Sequence, residues 1–339
     1  MLVFLSNGCS EEKQPISQTS QFVYTQQSKL MLDGKSYKFI GVNRYNILRD
    51  SDARGCGNVF SDADLKQWFD ELHAMGANAV RFWFYRNFTD QRTHLTRFDT
   101  VLAFAKERNM KVLPVFDDHW AYCTNEPEKN DLWYQNDYKI DYKPYVLAMG
   151  QKYKDDPTIL LWDLMNEPQA NFNTLSRFAT DMSAALKKVD PNHLISLGTL
   201  GQDQPGMQRD EWSQLLAIPT LDIGSYHDYS GQPPTVQTDG YHGLSDRLSQ
   251  SYAVAKPLFV GEAGLQTGCQ TTPQQQCFTR VERADLFKQK MSYYFSHGGV
   301  GYLIWSYRDY SLSIQDAFGF NPHDPLYTVV QQQAKILPS

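Results

Sequence analysis

The sequence has no apolar run approaching the ~18–20 residues of a membrane-spanning helix, so no segment reads as a transmembrane span. It has no positive excess: 32 Lys and Arg stand against 38 Asp and Glu, a net charge of −6 with His neutral. Proteins that coat nucleic acid or anionic lipid carry the opposite balance, and neither kind of partner is expected. Cysteine is scarce, five in all, and forms no C-x-x-C pair; no H-x-x-x-H spacing accompanies it. A zinc site is therefore not expected. No Gly-rich phosphate loop follows the first strand-like segment, which removes the usual mark of a doubly wound nucleotide-binding sheet. Internal repeats and a second domain are also missing. What is abundant is aromatic residues, 14% of the chain, within an otherwise ordinary 41% hydrophobic and 21% charged composition.

The first nine residues, MLVFLSNGC, form a short apolar stretch with no basic residues before it. It reads as the remnant of a lipoprotein signal with Cys9 as the lipid-modified residue, although Ser6 stands where the lipobox usually has Leu. Residues 1–21 are read as a tail and 22–339 as one domain. The expected location is secreted, periplasmic or anchored to the outer membrane. The other cysteines, Cys56, Cys123, Cys269 and Cys277, can pair in three ways. Cys269 and Cys277 flank a short polar loop and suggest a local bridge, which leaves Cys56 with Cys123. An even number in loops fits an oxidising compartment.

Two short strands are expected at 22–24 and 29–32, with a hairpin signal at Asp33-Gly34. A regular alternation follows. Strand-like segments lie at 37–43, 78–84, 111–116, 158–168, 193–198, 222–229, 257–262 and 300–306. Helical periodicity falls at 61–76, 97–108, 142–153, 174–189, 244–255 and 281–297. Apolar strands alternating with amphipathic helices give a parallel sheet covered by helices, and eight such units predict an α/β chain folded as a (β/α)₈ barrel with a short N-terminal hairpin. The segment 117–140, rich in Asp, Asn, Trp and Tyr, is expected as a loop at the functional face.

Sites on such barrels collect at the C-terminal strand ends. Those ends carry Arg81 on the second strand, His119 after the third, Asn166 and Glu167 on the fourth, His227 and Tyr229 on the sixth, Glu262 on the seventh and Trp305 on the eighth. Polar groups ending apolar strands are costly unless they pair or face a wet cleft. Two glutamates across a barrel mouth suit glycoside hydrolysis, in which one carboxyl donates a proton and the other attacks or stabilises the anomeric carbon. Arg81 and Tyr229 are the candidate helpers for one of the two carboxylates.

Arg81, Asp118-His119, Asn166-Glu167-Pro168, His227-Asp228-Tyr229, Gly261-Glu262 and Trp305, in this order, resemble the pattern of glycoside hydrolase family 5 over about residues 22–309. The resemblance implies a retaining double displacement, with Glu167 as acid and then base and Glu262 as nucleophile. It assigns Asn166 to the sugar 2-hydroxyl and Trp305 to the platform under the sugar at the cleavage point. His119 and His227 would position substrate and acid, and no metal or organic cofactor is implied. The segments GVNRYNI, NAVRFWF and DPTILLWDLMNEP are similar to the β-mannanase branch. The expected substrate is β-1,4-linked mannan or glucomannan, cut internally by a monomeric enzyme. An endo-β-glucanase, an exo-acting β-glycosidase closed at one end by 117–140, and a non-catalytic carbohydrate-binding barrel are the alternatives. Trp120 is assigned to substrate binding, and Trp83, Tyr85, Tyr122, Trp133 and Tyr134 join it as candidate pavers of outer subsites.

Overall fold

The computed structural model describes residues 21–48, 60–86, 91–124, 126–234, 243–269, 276–307 and 318–337. The N-terminal sheet has three antiparallel strands rather than two: β1 (Tyr24–Gln26), β2 (Lys29–Leu32) and β3 (Lys35–Tyr37). Asp33 and Gly34 both take positive φ, 50° and 73°, the backbone a tight hairpin needs, and they join β2 to β3. The third strand was hidden in the sequence because it runs almost directly into the first barrel strand.

Eight parallel strands follow: β4 (Phe39–Asn43), β5 (Ala79–Trp83), β6 (Lys111–Val115), β7 (Leu161–Asp163), β8 (Leu194–Ser196), β9 (Gly224–Asp228), β10 (Leu258–Ala263) and β11 (Gly301–Ile304). Their order is β8-β7-β6-β5-β4-β11-β10-β9. The gap between β8 and β9 is spanned by Asp222 N–H donating to Ile195 O at 2.9 Å and His227 N–H donating to Leu200 O at 2.8 Å. The expected (β/α)₈ barrel is thus borne out.

The helices read from periodicity are present. α1 (Asp62–Met75) opens on Ser61, whose side chain accepts from Asp64 N–H, and stops at Gly76 with φ 84°. α2 (Gln91–Glu107) begins earlier than the expected 97. α3 (Asp131–Gln135) is a single short turn in the loop after β6. α4 (Tyr142–Tyr153) and α5 (Phe172–Val189) flank β7 in sequence. α6 (Glu211–Leu216), α7 (Leu244–Ala253), α8 (Arg280–Ser296) and α9 (Pro325–Ile336) complete the series. α3 and α6 are too short to show a period in the sequence, and α9, which Asp324 caps with Pro325 at its first position, adds a helix beyond the expected ones.

The end of the barrel opposite the strand C-termini is apolar. Leu30 and Tyr37 of the small sheet pack with Phe39, Leu113, Leu161, Leu194, Phe259 and Leu303 near the strand starts. The small sheet therefore stoppers the barrel, leaving the other end for chemistry. No helix among the described residues is long and apolar enough to cross a membrane. Cys269 and Cys277 form the expected bridge, with Cα atoms 5.6 Å apart. Cys123 is also disulfide-bonded. Cys56, Cys9 and residues 1–20 lie outside the described residues.

Candidate active site

Arg81 sits in the middle of β5 with 1% of its surface exposed. A buried guanidinium is tolerated only when its donors are used. Its Nε donates to Asp163 Oδ2 at 3.0 Å, and its Nη2 to Asn166 Oδ1 at 2.8 Å. Its Nη1 donates to Glu262 Oε1 at 2.6 Å and to Asn43 Oδ1 at 3.2 Å. Burial works against this charge, but Asp163 and Glu262 outweigh it and hold the guanidinium cationic above its ordinary range. Asn43 completes the brace by donating to Gly261 O at 2.8 Å. One cation thus ties the ends of β4, β5, β7 and β10 together.

Glu262 is 4% exposed and has both oxygens bonded: Oε1 by Arg81 and Oε2 by the Tyr229 hydroxyl at 2.7 Å. Burial, then the adjacent Glu262 charge, pushes the Tyr229 phenol well above its usual value, so it remains a donor.

Glu167 is carried past the end of β7 by a run of strand-like bonds. Asn166 N–H donates to Asp117 O at 2.7 Å, and Glu167 N–H donates to Gly198 O at 2.9 Å. Gly198 has φ 80°, and a Cβ there would lie 1.8 Å from Met165 O, so only glycine permits this approach. Glu167 itself has φ 50°, a left-handed backbone that costs an L-residue roughly 1–2 kcal/mol. Its Oε1 lies 2.6 Å from His227 Nδ1, and its Oε2 accepts from Trp120 Nε1 at 2.7 Å. Burial alone would raise this carboxyl. The His227 bond and charge, the Trp120 bond and Arg81 outweigh it and hold it below the usual value.

One oxygen of each glutamate and a nitrogen of His227 lie within 4.8 Å of one another. Carboxyl oxygens this close go with the short ~5–5.5 Å carboxyl spacing of retaining glycosidases rather than the ~6.5–9.5 Å of inverting ones. Three such donors also resemble a metal-binding set. Arg81 already occupies one oxygen of Glu262, however, and a divalent cation there would face the guanidinium charge.

Asn166 is held on both sides. Its Oδ1 accepts from Arg81, and its Nδ2 donates to Asp118 Oδ1 at 2.9 Å. Asp118 also accepts from Tyr122 N–H at 2.8 Å. Burial pushes Asp118 up to about 7 despite these two bonds. His119 sits deeper than expected: it touches neither glutamate within hydrogen-bonding distance. Its Nδ1 pairs with the Tyr134 hydroxyl at 3.1 Å, and its ring meets Trp120 edge-on at 5.0 Å. Burial lowers its pKa, and its place is behind Trp120.

Trp305 is half-buried and stacks on Tyr45 with ring centres 5.8 Å apart and planes 15° apart. Trp83 and Tyr85 were expected as outer platforms, but they are only 4% and 2% exposed. They stack on each other at 4.9 Å, and Trp83 packs on Tyr45, so they form the wall behind Trp305. Tyr134 is 1% exposed and packs on Phe178. Trp133 packs on Tyr142 and Phe178, with part of its surface facing a cavity of about 290 Å³ at the ends of β5 and β6. Of the six aromatics proposed as pavers, Tyr122 is 61% exposed, Trp120 and Trp133 are half-buried, and only Trp120 among them is hydrogen-bonded to one of the two glutamates. Tertiary packing decided this, since an aromatic residue at a strand end is equally suited to either fate.

Asn43, Tyr45, Asp118 and Asp163 join the site with no role having been expected of them there. Asp163 did leave a signal: a charged residue inside the apolar run LLWDLM requires a buried partner, and Arg81 was available.

The model described as Cellulase (glycosyl hydrolase family 5) matches residues 34–311. A mannan endo-1,4-beta-mannosidase A of Podospora anserina is 24% identical over 71% of this chain and 73% of its own length. A probable mannan endo-1,4-beta-mannosidase F of Aspergillus flavus is 26% identical, covering 81% of this chain, which spans 64% of that relative. The crystal structure of an endo-1,4-beta-mannanase from Rhizomucor miehei superposes with TM-score 0.73 at 21% identity, over 93% of this chain and 98% of that one, a likeness of fold. The chain belongs to glycosyl hydrolase family 5.

Proposed function

We propose that the protein is a retaining endo-β-1,4-mannanase acting on mannan or glucomannan. The observation that carries the mechanism is the spacing within 4.8 Å of two glutamates in unlike surroundings. Glu262, oriented by Arg81 and Tyr229, is the nucleophile. It attacks the anomeric carbon while Glu167 delivers a proton to the departing glycosidic oxygen. Glu167, then ionised, takes a proton from water, which attacks the glycosyl-enzyme and releases Glu262. An amide nitrogen carries two N–H donors. Asp118 uses one on Asn166 Nδ2, and the other is available to the sugar 2-hydroxyl. Trp305 supplies the sugar's platform, and His227 orients Glu167.

Mannan as substrate is supported by relatives named mannan endo-1,4-beta-mannosidase. Export to an oxidising compartment is supported by the bonded cysteines. A monomer, lipid-anchored at Cys9, completes the proposal.

Glu167→Ala tests the acid/base assignment. Loss on mannan should far exceed loss on aryl glycosides with good leaving groups, and azide should restore turnover with retained configuration. Equal losses without azide rescue would reject it. Product analysis on defined manno-oligosaccharides tests the endo action, since release of single terminal sugars alone would point to an exo-glycosidase. Inactivity on every mannan with strong cleavage of a β-glucan would reject the substrate and keep the mechanism.

A further inference from the structure

The two oxygens of Glu167 are held by partners of different kinds. Oε1 faces His227 Nδ1, a ring nitrogen able to give or take a hydrogen. Oε2 faces Trp120 Nε1, and an indole N–H can only donate. A fixed donor bonds better to an unprotonated oxygen than to a hydroxyl.

Trp120 is held firmly for this contact. His119 N–H, one residue earlier, donates to Asn166 O at 3.0 Å, and Ala121 N–H, one residue later, donates to Asp118 O at 3.2 Å. Asp118 in turn accepts from Tyr122 N–H and from Asn166, so the turn bearing the indole is tied to the strand end bearing the carboxyl. The ring edge rests on His119.

We propose that Trp120 is a positioning residue for the reaction: its indole N–H keeps Oε2 of Glu167 unprotonated, places the transferable proton on Oε1, and strengthens its bond as Glu167 ionises. This rests on Glu167 being the acid/base. In glycosylation the proton leaves Oε1 for the glycosidic oxygen. The C–O bond breaks with its electron pair going to that oxygen, and the Glu262 oxygen–carbon bond forms. In deglycosylation water's proton goes to Oε1 as its oxygen bonds the carbon and the bond to Glu262 breaks. The indole thus makes Glu167 a stronger acid and a weaker base. The other ionisable groups facing Glu167 are His227 and Tyr229 from the β9 side, Glu262 on β10, Arg81 on β5, and Asp118 and His119 after β6. None of them is itself altered in the Trp120 variants.

Trp120→Phe keeps an aromatic ring and removes the N–H. With a manno-oligosaccharide, the basic limb of kcat/KM against pH should move up by roughly half to one pH unit. kcat on the oligosaccharide should fall about tenfold because the acid is weaker. kcat on an aryl glycoside with a good leaving group should hold or rise, and the oligosaccharide KM should change little. An unmoved basic limb with a raised KM and equal kcat on both substrates would overturn the proposal, leaving Trp120 as a sugar platform alone. Glu167→Ala is assayed in parallel. Azide rescue there with no pH shift in Trp120→Phe rejects this proposal and keeps the acid/base assignment, whereas no rescue rejects both. Trp120→Leu serves if the Phe variant does not fold, with the same pH shift expected.

Discussion

The two ends of the barrel are built on opposite terms. At the stoppered end, Leu30, Phe39, Leu161, Leu194 and Phe259 are buried among one another and need nothing but apolar neighbours. At the open end, Arg81, Asp118, Asp163, Asn166, His227 and Glu262 are just as buried but polar. Apolar burial is non-directional and tolerates small displacements. Buried charge is tolerated only in one arrangement, because each group left unpaired costs several kcal/mol. The open end therefore adds little net stability over an apolar filling, although breaking any one of its pairs is costly, and it also carries the left-handed Glu167. The contrast teaches that one barrel separates the residues that hold it together from those proposed to react.

The largest test of this division is Glu262→Ala. Without a nucleophile, hydrolysis of mannan should fall by at least ~10³-fold, while the melting temperature stays within a few degrees of the parent. Retention of more than a tenth of parent activity in contaminant-free protein would break the comparison.

Arg81→Met strikes both properties. It leaves Asp163 and Glu262 buried without their shared cation, which should cost roughly 3–5 kcal/mol in urea unfolding along with nearly all activity. A loss below 1 kcal/mol would mean that water or rearrangement replaces the guanidinium easily.

Leu161→Ala is the mirror experiment at the stoppered end. A fully buried leucine there should cost about 2–5 kcal/mol, with kcat unchanged at temperatures where the variant stays folded. A selective fall in kcat would show the two ends to be coupled.

A smaller effect sharpens the cost of function. Glu167→Gly should be more stable than Glu167→Ala by about 1 kcal/mol, because only glycine accepts φ 50° freely. Equal stabilities would mean that the backbone relaxes once the side chain is gone.

The smallest effect concerns pH. Asp118 is raised to about 7 in the fold, so between its unfolded value and 7 the native state holds the extra proton. Its contribution to stability therefore falls as pH rises through that window and is level above it. Asp190, lowered by His193 against the raising effect of burial, has the opposite sign: its contribution is present above its unfolded value and lost on acidification. The difference in melting temperature between Asp118→Asn and the parent should grow in favour of the variant from about pH 4 to 7. A constant difference would show that Asp118 does not titrate in that range.

Much was legible in the sequence because the barrel repeats one simple device. The barrel strands are apolar runs with the functional residues in or just past their C-terminal halves, so Arg81, Asn166, Glu167, His227, Glu262 and Trp305 could be read off the sequence, and the structure brings them together at one mouth. Helices with strong caps, such as Ser61 to Gly76, were legible for a similar local reason. The paired spacing of Cys269 and Cys277 was enough for their bridge.

What the sequence determined by itself was periodicity, strand order along the chain, and the chemical type of group at each strand end, because these depend on neighbours a few residues away. Only the tertiary structure decided who meets whom. It set Asp163 on Arg81 and Trp120 on Glu167, and it turned Trp83, Tyr85 and Tyr134 into packing while leaving Tyr122 exposed. It also added a third strand to the stopper and closed β8 against β9 through bonds from Asp222 and His227. The physical reason is common to all of these. An aromatic ring or a carboxylate at a strand end has no preferred fate of its own, and its burial and partner are fixed by side chains brought close only when the barrel closes.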